Sequence, residues 1–373
     1  MNYGGSAVTG LANRVTGHVH IIGAGLLGAS IGLNLTQKGT VVTLADNSPT
    51  ALALASDYGA GTPLNDEILS AVGEPQLVIV ATPPETVATV VAAALKTWPK
   101  AVVTDVASVK LPALQELRAA GIDTTRYVGS HPMAGREKGS AVMARADLFV
   151  GRPWVICRDA ETPAAALNAV EALAIELGAV PTEWEPQEHD AAVAMVSHLP
   201  QIVASVLAAQ LNKAQARNLN LSGGGVRDTT RIAKSDPELW VQILGANHAE
   251  IAPLLRGFAE DLETVATAIE NPDQRGSRSA LADLIDAGNR GVERLPGKHG
   301  STLAFANLQV IVADSPGQLA RLLTDLEELK INMEDLRLEH SPGAEIGFAN
   351  VAVLPEVADR ARTALGERGW RIL

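Results

Sequence analysis

The chain has 373 residues, of which 47% are hydrophobic, and its 42 acidic residues outnumber its 30 lysines and arginines to give a net charge of −12. This length suffices for two or three domains, and the negative charge argues against nucleic acid or an anionic membrane as a partner, because both carry phosphate groups. Cys157 is the single cysteine, which excludes an internal disulfide framework and argues against a thiolate metal cage.

Residues 19–180 alternate short β-branched runs with Ala- and Leu-rich stretches, a pattern that predicts βαβ units and a Rossmann-type parallel sheet. No signal-peptide pattern precedes them, so we expect a cytoplasmic protein. We take residues 1–184 as a first domain of the α/β class. Its predicted strands are 19–22, 41–45, 77–81, 101–105, 127–129 and 154–157.

A glycine-rich turn follows the first predicted strand and begins the first predicted helix. In a GxGxxG fingerprint the first glycine permits a tight turn, the second lets a pyrophosphate approach the backbone, and the third lets helix and strand pack closely. Asp46 closes the second strand, 18 residues after Gly28, where its carboxylate can bind ribose hydroxyls and would repel a 2′-phosphate. We therefore predict NAD rather than NADP, although a glycine turn of another α/β fold is the alternative. The predicted cofactor-binding residues here are Gly23, Gly25, Leu26, Leu27, Gly28 and Asp46.

Polar residues follow the next predicted strands, namely Thr82, Ser108 and His131. Ligands of open α/β sheets bind at the carboxyl ends of the strands, so these residues are expected near the cofactor. Thr82 is predicted beside the nicotinamide ribose, and a simple turn explains it equally well. A dehydrogenase that oxidises an alcohol needs a group that takes the hydroxyl proton, and His131 fits that role better than a packing role.

Residues 185–296 lose the strand pattern and predict an all-helical second domain. Their longest apolar stretch, residues 191–211, is interrupted by polar residues and by proline, so we expect no membrane span. His198 in this stretch is either a satisfied core histidine or faces a cleft. His189 lies nine residues earlier, about 180° around a regular helix, so we expect the two histidines not to share a metal and predict no metal site.

A glycine-rich segment, residues 222–225, precedes a helix that carries Arg227 and Arg231. One interpretation is a surface ion pair between Arg231 and Asp228, which contributes well under about 1 kcal/mol. The other is that an arginine binds a substrate carboxylate through its planar guanidinium. The pattern favours neither.

Residues 302–373 follow a linker rich in glycine and proline and predict a third domain. The pattern changes to strand, helix, two strands, helix and strand. This βαββαβ order is typical of a small ferredoxin-like domain.

Five segments occur in an order that resembles the prephenate dehydrogenase family. The resemblance implies NAD-dependent oxidative decarboxylation of prephenate to 4-hydroxyphenylpyruvate in tyrosine biosynthesis, and a homodimer formed through the helical domain. The segments are GAGLLGASIG in the glycine-rich turn, DVASVK at 105–110, GSHPMAGREKG at 129–139, HDAAVAMVSHLP at 189–200 and GGGVRDTTRIAKSDPELW at 223–240.

The family pattern also implies roles for individual residues. His131 would take the proton of the ring 4-hydroxyl as hydride passes to nicotinamide, and Ser108 would hold that histidine and the hydroxyl in place. His198 and Arg231 would bind the substrate, with Arg231 on a carboxylate. Glu137 matches a position that helps to gate the pocket.

Two positions qualify the resemblance. Arg136 departs from the threonine often found before that glutamate, a difference that the family pattern assigns to the pocket rim. Trp240 matches a family aromatic near the site, and core packing explains it equally well.

The segment at residues 314–319 is similar to the strand-to-helix turn of an ACT domain, a small module that senses amino acids. The resemblance implies feedback control by an aromatic amino acid, most simply tyrosine, bound near this turn, where free helix N–H groups can take a carboxylate. A purely structural dimerising module is the alternative.

Three other functions stay open. Arogenate dehydrogenase would act on a substrate with an amino group in place of the side-chain keto group, and no residue decides against it. A 3-hydroxyacid dehydrogenase would need a catalytic lysine in the helical domain, where Lys213 and Lys234 are available. A regulatory protein that senses NAD is the non-enzymatic alternative.

Overall fold

The computed structural model describes residues 14–134, 140–295, 305–340 and 346–373. The chain divides into two compact units. The first comprises Met1–Ile202 with Lys234–Leu255, and the second comprises Val203–Ala233 with Arg256–Leu373. The predicted division into three domains stays a prediction.

The first unit contains an eight-stranded sheet, in the order β3-β2-β1-β4-β5-β6-β7-β8. Neighbouring strands are parallel except β6 and β7, which are antiparallel. The predicted α/β class with a Rossmann-type sheet is therefore confirmed. The strands are β1 His18–Ile22, β2 Val41–Ala45, β3 Thr62–Pro63, β4 Leu77–Val80, β5 Val102–Asp105, β6 Tyr127–Pro132, β7 Pro153–Cys157 and β8 Val180–Trp184.

At the outer end of this sheet one pair of strands, β6 and β7, departs from the predicted parallel arrangement. Parallel neighbours need a crossover connection, usually a helix, whereas the described part of the chain between β6 and β7 holds only a single 3-10 turn at Ala141–Met143. The strand β8 was not predicted. It is a largely exposed edge strand that contains Pro181, so it has neither the apolar run nor the composition of a central strand.

Fifteen α-helices are present in the described residues. Side chains cap the starts of some of them: Ser48 accepts a hydrogen bond from the backbone of Ala51 at the start of α2, and Asp236 accepts one from Glu238 at the start of α11. The helices are α1 Leu26–Gln37, α2 Pro49–Asp57, α3 Asp66–Val72, α4 Val87–Thr97, α5 Leu111–Ala119, α6 Ala164–Glu176, α7 Pro186–Val193, α8 Leu199–Gln210, α9 Ala216–Leu219, α10 Gly224–Thr230, α11 Pro237–Ala246, α12 His248–Glu270, α13 Ser277–Glu293, α14 Gln318–Glu328 and α15 Pro355–Glu367.

A wide π-helical turn, Ala194–His198, joins α7 to α8. Pro200 lies just beyond it, and proline cannot donate a backbone hydrogen bond to the carbonyl four residues earlier and clashes with it. A π turn accommodates that defect and recurs at functional sites. Residues 185–295, all of which the structure describes, contain no strand, as predicted for the helical region.

By length and composition alone, Pro186–Lys213 is the one helical stretch among the described residues that could cross a membrane. Its first half, however, buries the polar side chains of His189, Asp190 and His198. These side chains are hydrogen-bonded to other residues of the first unit, which favours packing inside the protein.

The second unit contains a four-stranded antiparallel sheet, in the order β10-β11-β9-β12. With α14 and α15 it has the predicted βαββαβ order. Leu322 of α14 and Leu365 of α15 are fully buried in a core with residues from the sheet. The strands are β9 Ala306–Ala313, β10 Asp335–His340, β11 Ile346–Val353 and β12 Arg371–Ile372.

Two buried histidines of β1 both contact the side-chain hydroxyl of Thr43 in β2. His18 Nε2 and His20 Nδ1 lie 2.7 and 2.8 Å from Thr43 Oγ1, and His18 Nδ1 donates to the carbonyl of Gly73. Burial, aided by the neighbouring His18, lowers the pKa of His20 from 6.5 to about 4. The neutral ring is therefore the form that the folded protein prefers.

We predict that the free energy of unfolding falls as the pH is lowered from about 6.5 to about 4. In that window the unfolded chain binds a proton at His20 that the folded chain does not, which costs roughly 3 kcal/mol when complete. Urea unfolding at several pH values measures it. A His20→Gln variant is expected to show a shallower decline, and an equally steep decline in that variant would contradict the assignment.

Candidate active site

The glycine-rich turn has the geometry that a dinucleotide fingerprint requires. Gly23 adopts a φ of +108°, and a Cβ there would overlap the backbone of Ala81. A Cβ at Gly28 would overlap the backbone oxygen of Gly23, so α1 and β1 pack this closely only with glycine at that position. At Gly25 nothing lies within 4 Å of where a Cβ would be, which leaves space for a phosphate at the start of α1.

The other predicted cofactor residues lie at the carboxyl ends of β2 and β4 or in the first turn of α1. The carboxylate of Asp46 accepts hydrogen bonds from the backbone N–H of Ala24 at 2.6 Å and of Ser48 at 2.7 Å, which holds it beside the turn. The Thr82 hydroxyl is buried, with no partner among the described residues, and a bound ligand can satisfy such a group. Leu26 and Leu27 begin α1, where backbone N–H groups lack partners within the helix.

His131 lies near the end of β6 and contacts another histidine. Its Nδ1 atom is 2.9 Å from Nε2 of His189, and the two rings meet edge to face. Burial lowers the pKa of His131 well below its usual value, and the positive charges that His189, Lys110 and His198 can carry lower it further. At neutral pH the imidazole is therefore uncharged and available to accept a proton.

Asp190 connects α7 to the loop after β5. Its carboxylate lies 2.8 Å from His189 Nδ1 and accepts from the backbone N–H groups of Lys110, at 2.9 Å, and Leu111, at 2.8 Å. The two amides stand at the start of α5, where a helix favours a negative charge. His189 and Asp190 are both about 1% exposed, so the contact is shielded from water.

The Lys110 side chain is buried in the same region. Its ammonium group pairs with the carboxylate of Asp105 and donates to the carbonyl oxygen of Ser130 at 2.8 Å. The Tyr127 hydroxyl donates to Asp105 at 2.7 Å, and burial beside that carboxylate raises the pKa of Tyr127 well above its usual value. These hydrogen bonds connect β5 to β6 next to the strand ends at which the site residues lie.

His198 is buried at the end of the π turn. The amide nitrogen of Asn247 donates to the backbone oxygen of Asp190 at 2.8 Å and lies 3.2 Å from His198 Nδ1. Because that oxygen can only accept, the NH₂ group of Asn247 must face both the oxygen and His198. His198 Nδ1 therefore also accepts a hydrogen bond, and the ring proton of His198 is on Nε2. Burial lowers the pKa of His198 to about 4. His198 is thus a neutral donor.

Two sequence-based expectations are corrected here. Ser108 was expected to hold His131, but the partner of His131 is His189, and the half-buried Ser108 hydroxyl has no hydrogen bond among the described residues. His189 and His198 were expected on opposite sides of a regular helix. The π turn between them changes the angular spacing, and both face one cluster linked through Asn247.

The remaining predicted residues divide into three cases. Trp240 packs edge to face against His198, with ring centroids 6.0 Å apart. Arg231 begins a 3-10 turn in the second compact unit, and its role stays a prediction. Glu137 and Arg136 lie outside the described residues.

Sequence reasoning missed His189, Asp190, Lys110 and Asn247. The first three stand inside segments that carried the family resemblance, and Pro200 was the available signal that the helix is not regular. Asn247 had no such signal, because it follows α11 at an ordinary helix end.

Comparison with known proteins gives consistent results along the chain. Residues 31–183 match the family described as the prephenate dehydrogenase nucleotide-binding domain, and residues 185–283 match the prephenate dehydrogenase dimerization domain. The chain is 35% identical over 363 residues to a probable prephenate dehydrogenase of Streptomyces niveus, which covers 94% of this chain and 98% of that protein. It is 31% identical over 263 residues to the cyclohexadienyl dehydrogenase of Zymomonas mobilis, covering 69% and 89%.

A solved structure shares this fold. The crystal structure of prephenate dehydrogenase from Aquifex aeolicus, in complex with hydroxyphenyl propionate and NAD+, superposes with a TM-score of 0.63 at 27% identity. The match covers 74% of this chain and 98% of that chain. Its bound NAD+ agrees with the cofactor predicted from the glycine-rich turn.

We predict different outcomes for two glycine variants of the turn. Gly25→Ala is expected to leave the melting temperature unchanged, since its Cβ meets no protein atom, but to weaken NAD binding by about tenfold or more. Gly28→Ala is expected to lower both the melting temperature and the affinity for NAD, because its Cβ overlaps the backbone of Gly23. Thermal melting and calorimetric titration with NAD measure the two effects. Wild-type NAD affinity in Gly25→Ala would contradict the proposed path of the pyrophosphate.

Proposed function

This chain belongs to the prephenate dehydrogenase family, and we propose that it converts prephenate and NAD+ to 4-hydroxyphenylpyruvate, CO₂ and NADH. It is an NAD-dependent oxidoreductase. The observation that carries the substrate proposal is a half-buried, uncharged His131 at the carboxyl end of β6, in the sheet whose β1–α1 turn has the dinucleotide geometry. The family membership removes support from the 3-hydroxyacid dehydrogenase and the NAD-sensing alternatives.

We assign the cofactor contacts to residues whose geometry fits NAD. The pyrophosphate would lie over Gly25 at the start of α1, where N–H groups and the helix dipole favour an anion. Asp46 would accept the ribose hydroxyls, and the unpartnered Thr82 hydroxyl would bond at the nicotinamide end. When bound there, NAD+ supplies the hydride acceptor.

His131 performs the acid–base step in this proposal. Its free Nε2 atom accepts the proton of the ring 4-hydroxyl while the hydrogen on that carbon departs as hydride, so the hydroxyl becomes a carbonyl. The bond between the ring and its carboxylate then breaks, CO₂ leaves, the electron pair enters the ring, and the ring oxygen takes back the proton held by His131 to become the phenol hydroxyl. Formation of the aromatic ring drives the step.

We assign substrate contacts to the remaining residues. His198 would donate from Nε2 to a substrate oxygen, and Ser108 would bond to the ring hydroxyl. For Arg231 and Glu137 we keep the roles that the family pattern implies, binding of a carboxylate and gating, as proposals. In this proposal individual donors bind the substrate carboxylates, so the overall charge of −12 does not prevent a small dianion from binding.

The nearest alternative substrate is arogenate. The 31% identical relative is named a cyclohexadienyl dehydrogenase, a name that covers both ring substrates, so we propose that both be assayed. Turnover of arogenate in strong preference to prephenate would replace the first proposal with the second.

We also propose that the enzyme is a cytoplasmic homodimer. The match of residues 185–283 to a dimerization domain supports the dimer. Exposed apolar side chains on the helices of this region are of the kind that a partner subunit covers, among them Val206, Leu262 and Ile285.

We predict that His131→Asn lowers kcat with prephenate by about 100-fold or more. An asparagine amide can still donate to His189 but has no atom at the position of Nε2, so the base is lost and the fold is kept. NADH absorbance measures turnover, and calorimetry checks that NAD still binds. Retention of wild-type kcat would exclude His131 as the base.

We further propose that the βαββαβ part of the second unit is an ACT domain that binds tyrosine. The order of its elements and the turn at Gly317, which leads into α14, support this assignment. The effector carboxylate would bond to N–H groups at the start of α14. A purely structural module remains the alternative.

Inhibition by tyrosine tests that assignment in the full chain. Ser315 is exposed in the turn before α14, so Ser315→Glu is expected to repel the effector carboxylate and to raise the inhibitory concentration of tyrosine by about tenfold. Ser315→Gln, which is similar in size and uncharged, is the matched control and is expected to behave as wild type. Absence of any tyrosine inhibition in the wild-type enzyme would favour the structural module.

A further inference from the structure

We propose that His189 and Asp190 are positioning residues that hold His131 in the one tautomer able to accept a proton. The inference rests on the proposed role of His131 as the base. It adds a reason why that base has its free nitrogen directed away from the protein partner and toward a reacting hydroxyl.

The argument follows hydrogen-bonding roles along three side chains. An ionised Asp190 has only acceptor oxygens, so the 2.8 Å contact with His189 Nδ1 places a proton on that nitrogen. With its ring proton on Nδ1, His189 accepts at Nε2. The 2.9 Å contact with His131 therefore has His131 Nδ1 as its donor, and the lone pair of His131 is left on Nε2.

The backbone keeps Asp190 in the accepting role. The N–H groups of Lys110 and Leu111 donate to its carboxylate, and neither amide can reverse its role. The two backbone N–H groups at the start of α5 therefore fix the donor and acceptor roles of His189 and His131. As a result, Nε2 of His131, the atom that faces the substrate in this proposal, is left as an acceptor.

The other polar side chains near His131 do not provide this control. Lys110 is engaged with Asp105 and with the backbone of Ser130, and His198 receives its hydrogen bond from Asn247. None of them is hydrogen-bonded to His131 in the described part of the chain. His189 is thus the residue that decides which His131 nitrogen carries the proton.

The arrangement also stabilises the charge that forms during turnover. When His131 takes a proton it becomes an imidazolium, and its Nδ1–H remains bonded to His189, behind which stands the carboxylate of Asp190. A histidine oriented by a buried carboxylate is a recurring device for a base that must gain and lose a proton. Here a second imidazole is interposed between them.

Asp190→Asn is the sharpest test, because it inverts the bonding direction with little change in shape. With its oxygen at the Oδ2 position, the Asn keeps the bonds from Leu111 at 2.8 Å and from Lys110 at 3.2 Å, and its NH₂ group takes the Oδ1 position that faces His189 Nδ1, at the cost of the 2.9 Å bond from Lys110. His189 then carries its proton on Nε2 and donates to His131 Nδ1, which moves the His131 proton to Nε2 and blocks the base. We expect kcat to fall by about 100-fold or more, with KM for prephenate and the Kd for NAD within about threefold of wild type.

A pair of variants at His189 tests the same point without altering Asp190. A glutamine can donate its amide N–H to Asp190 and accept from His131 at its oxygen, whereas a methionine of similar size does neither. We expect His189→Gln to retain a kcat at least about tenfold higher than His189→Met. Equal activity of the two would reduce His189 to a packing residue and overturn the proposal.

Nitrogen NMR of the imidazole rings in the free enzyme separates this proposal from the proposed function. We expect His131 to be protonated at Nδ1 in the wild type and at Nε2 in Asp190→Asn. Protonation at Nε2 in the wild type, or wild-type kcat in Asp190→Asn, would overturn the relay. If the expected spectra are found but the wild type does not turn over prephenate, the relay stands and the substrate assignment fails.

Discussion

The site depends on one buried charge, the carboxylate of Asp190. A carboxylate removed from water is tolerated in a protein interior only when donors surround it, and here two backbone amides of the loop after β5 and one imidazole do so. The contact holds α7 against the strand ends of the sheet. Because β5 and β6 are neighbours, it also brings His189 to His131.

A buried ion pair between Lys110 and Asp105 holds the loop after β5 in place. The Lys110 amide binds Asp190, and the side chain of the same residue is bound to Asp105 and to the backbone of β6. One residue therefore connects α7, β5 and β6, and the histidines rest on a rigid sheet, as a site that must position reacting atoms requires. Burial in this region also keeps His131 and His198 uncharged, so their protons act as directed donors and free acceptor atoms.

Sequence reasoning identified what local chemistry determines, and it missed what tertiary contacts determine. The β-branched runs predicted the central strands, and the spacing of Gly23, Gly25 and Gly28 predicted a turn whose three glycines each have a distinct steric reason. The direction of β7 and the exposed edge strand β8 had no such local signature. His189 was not predicted as a site residue because a regular helix places it opposite His198. The segment instead contains a π turn next to Pro200, whose ring cannot be accommodated in a regular helix, and hydrophobic periodicity does not reveal such a turn.

The π turn has a further consequence for how this segment tolerates change. A wide turn contains an extra residue relative to a regular helix, so loss of one residue there would restore the ordinary winding and rotate His198 by about 100° away from Asn247. The number of residues between His189 and His198 is thus as constrained as their identities. Insertions and deletions are usually tolerated only near the ends of a helix. In this segment the number of residues in the helix interior sets the spacing of two functional side chains.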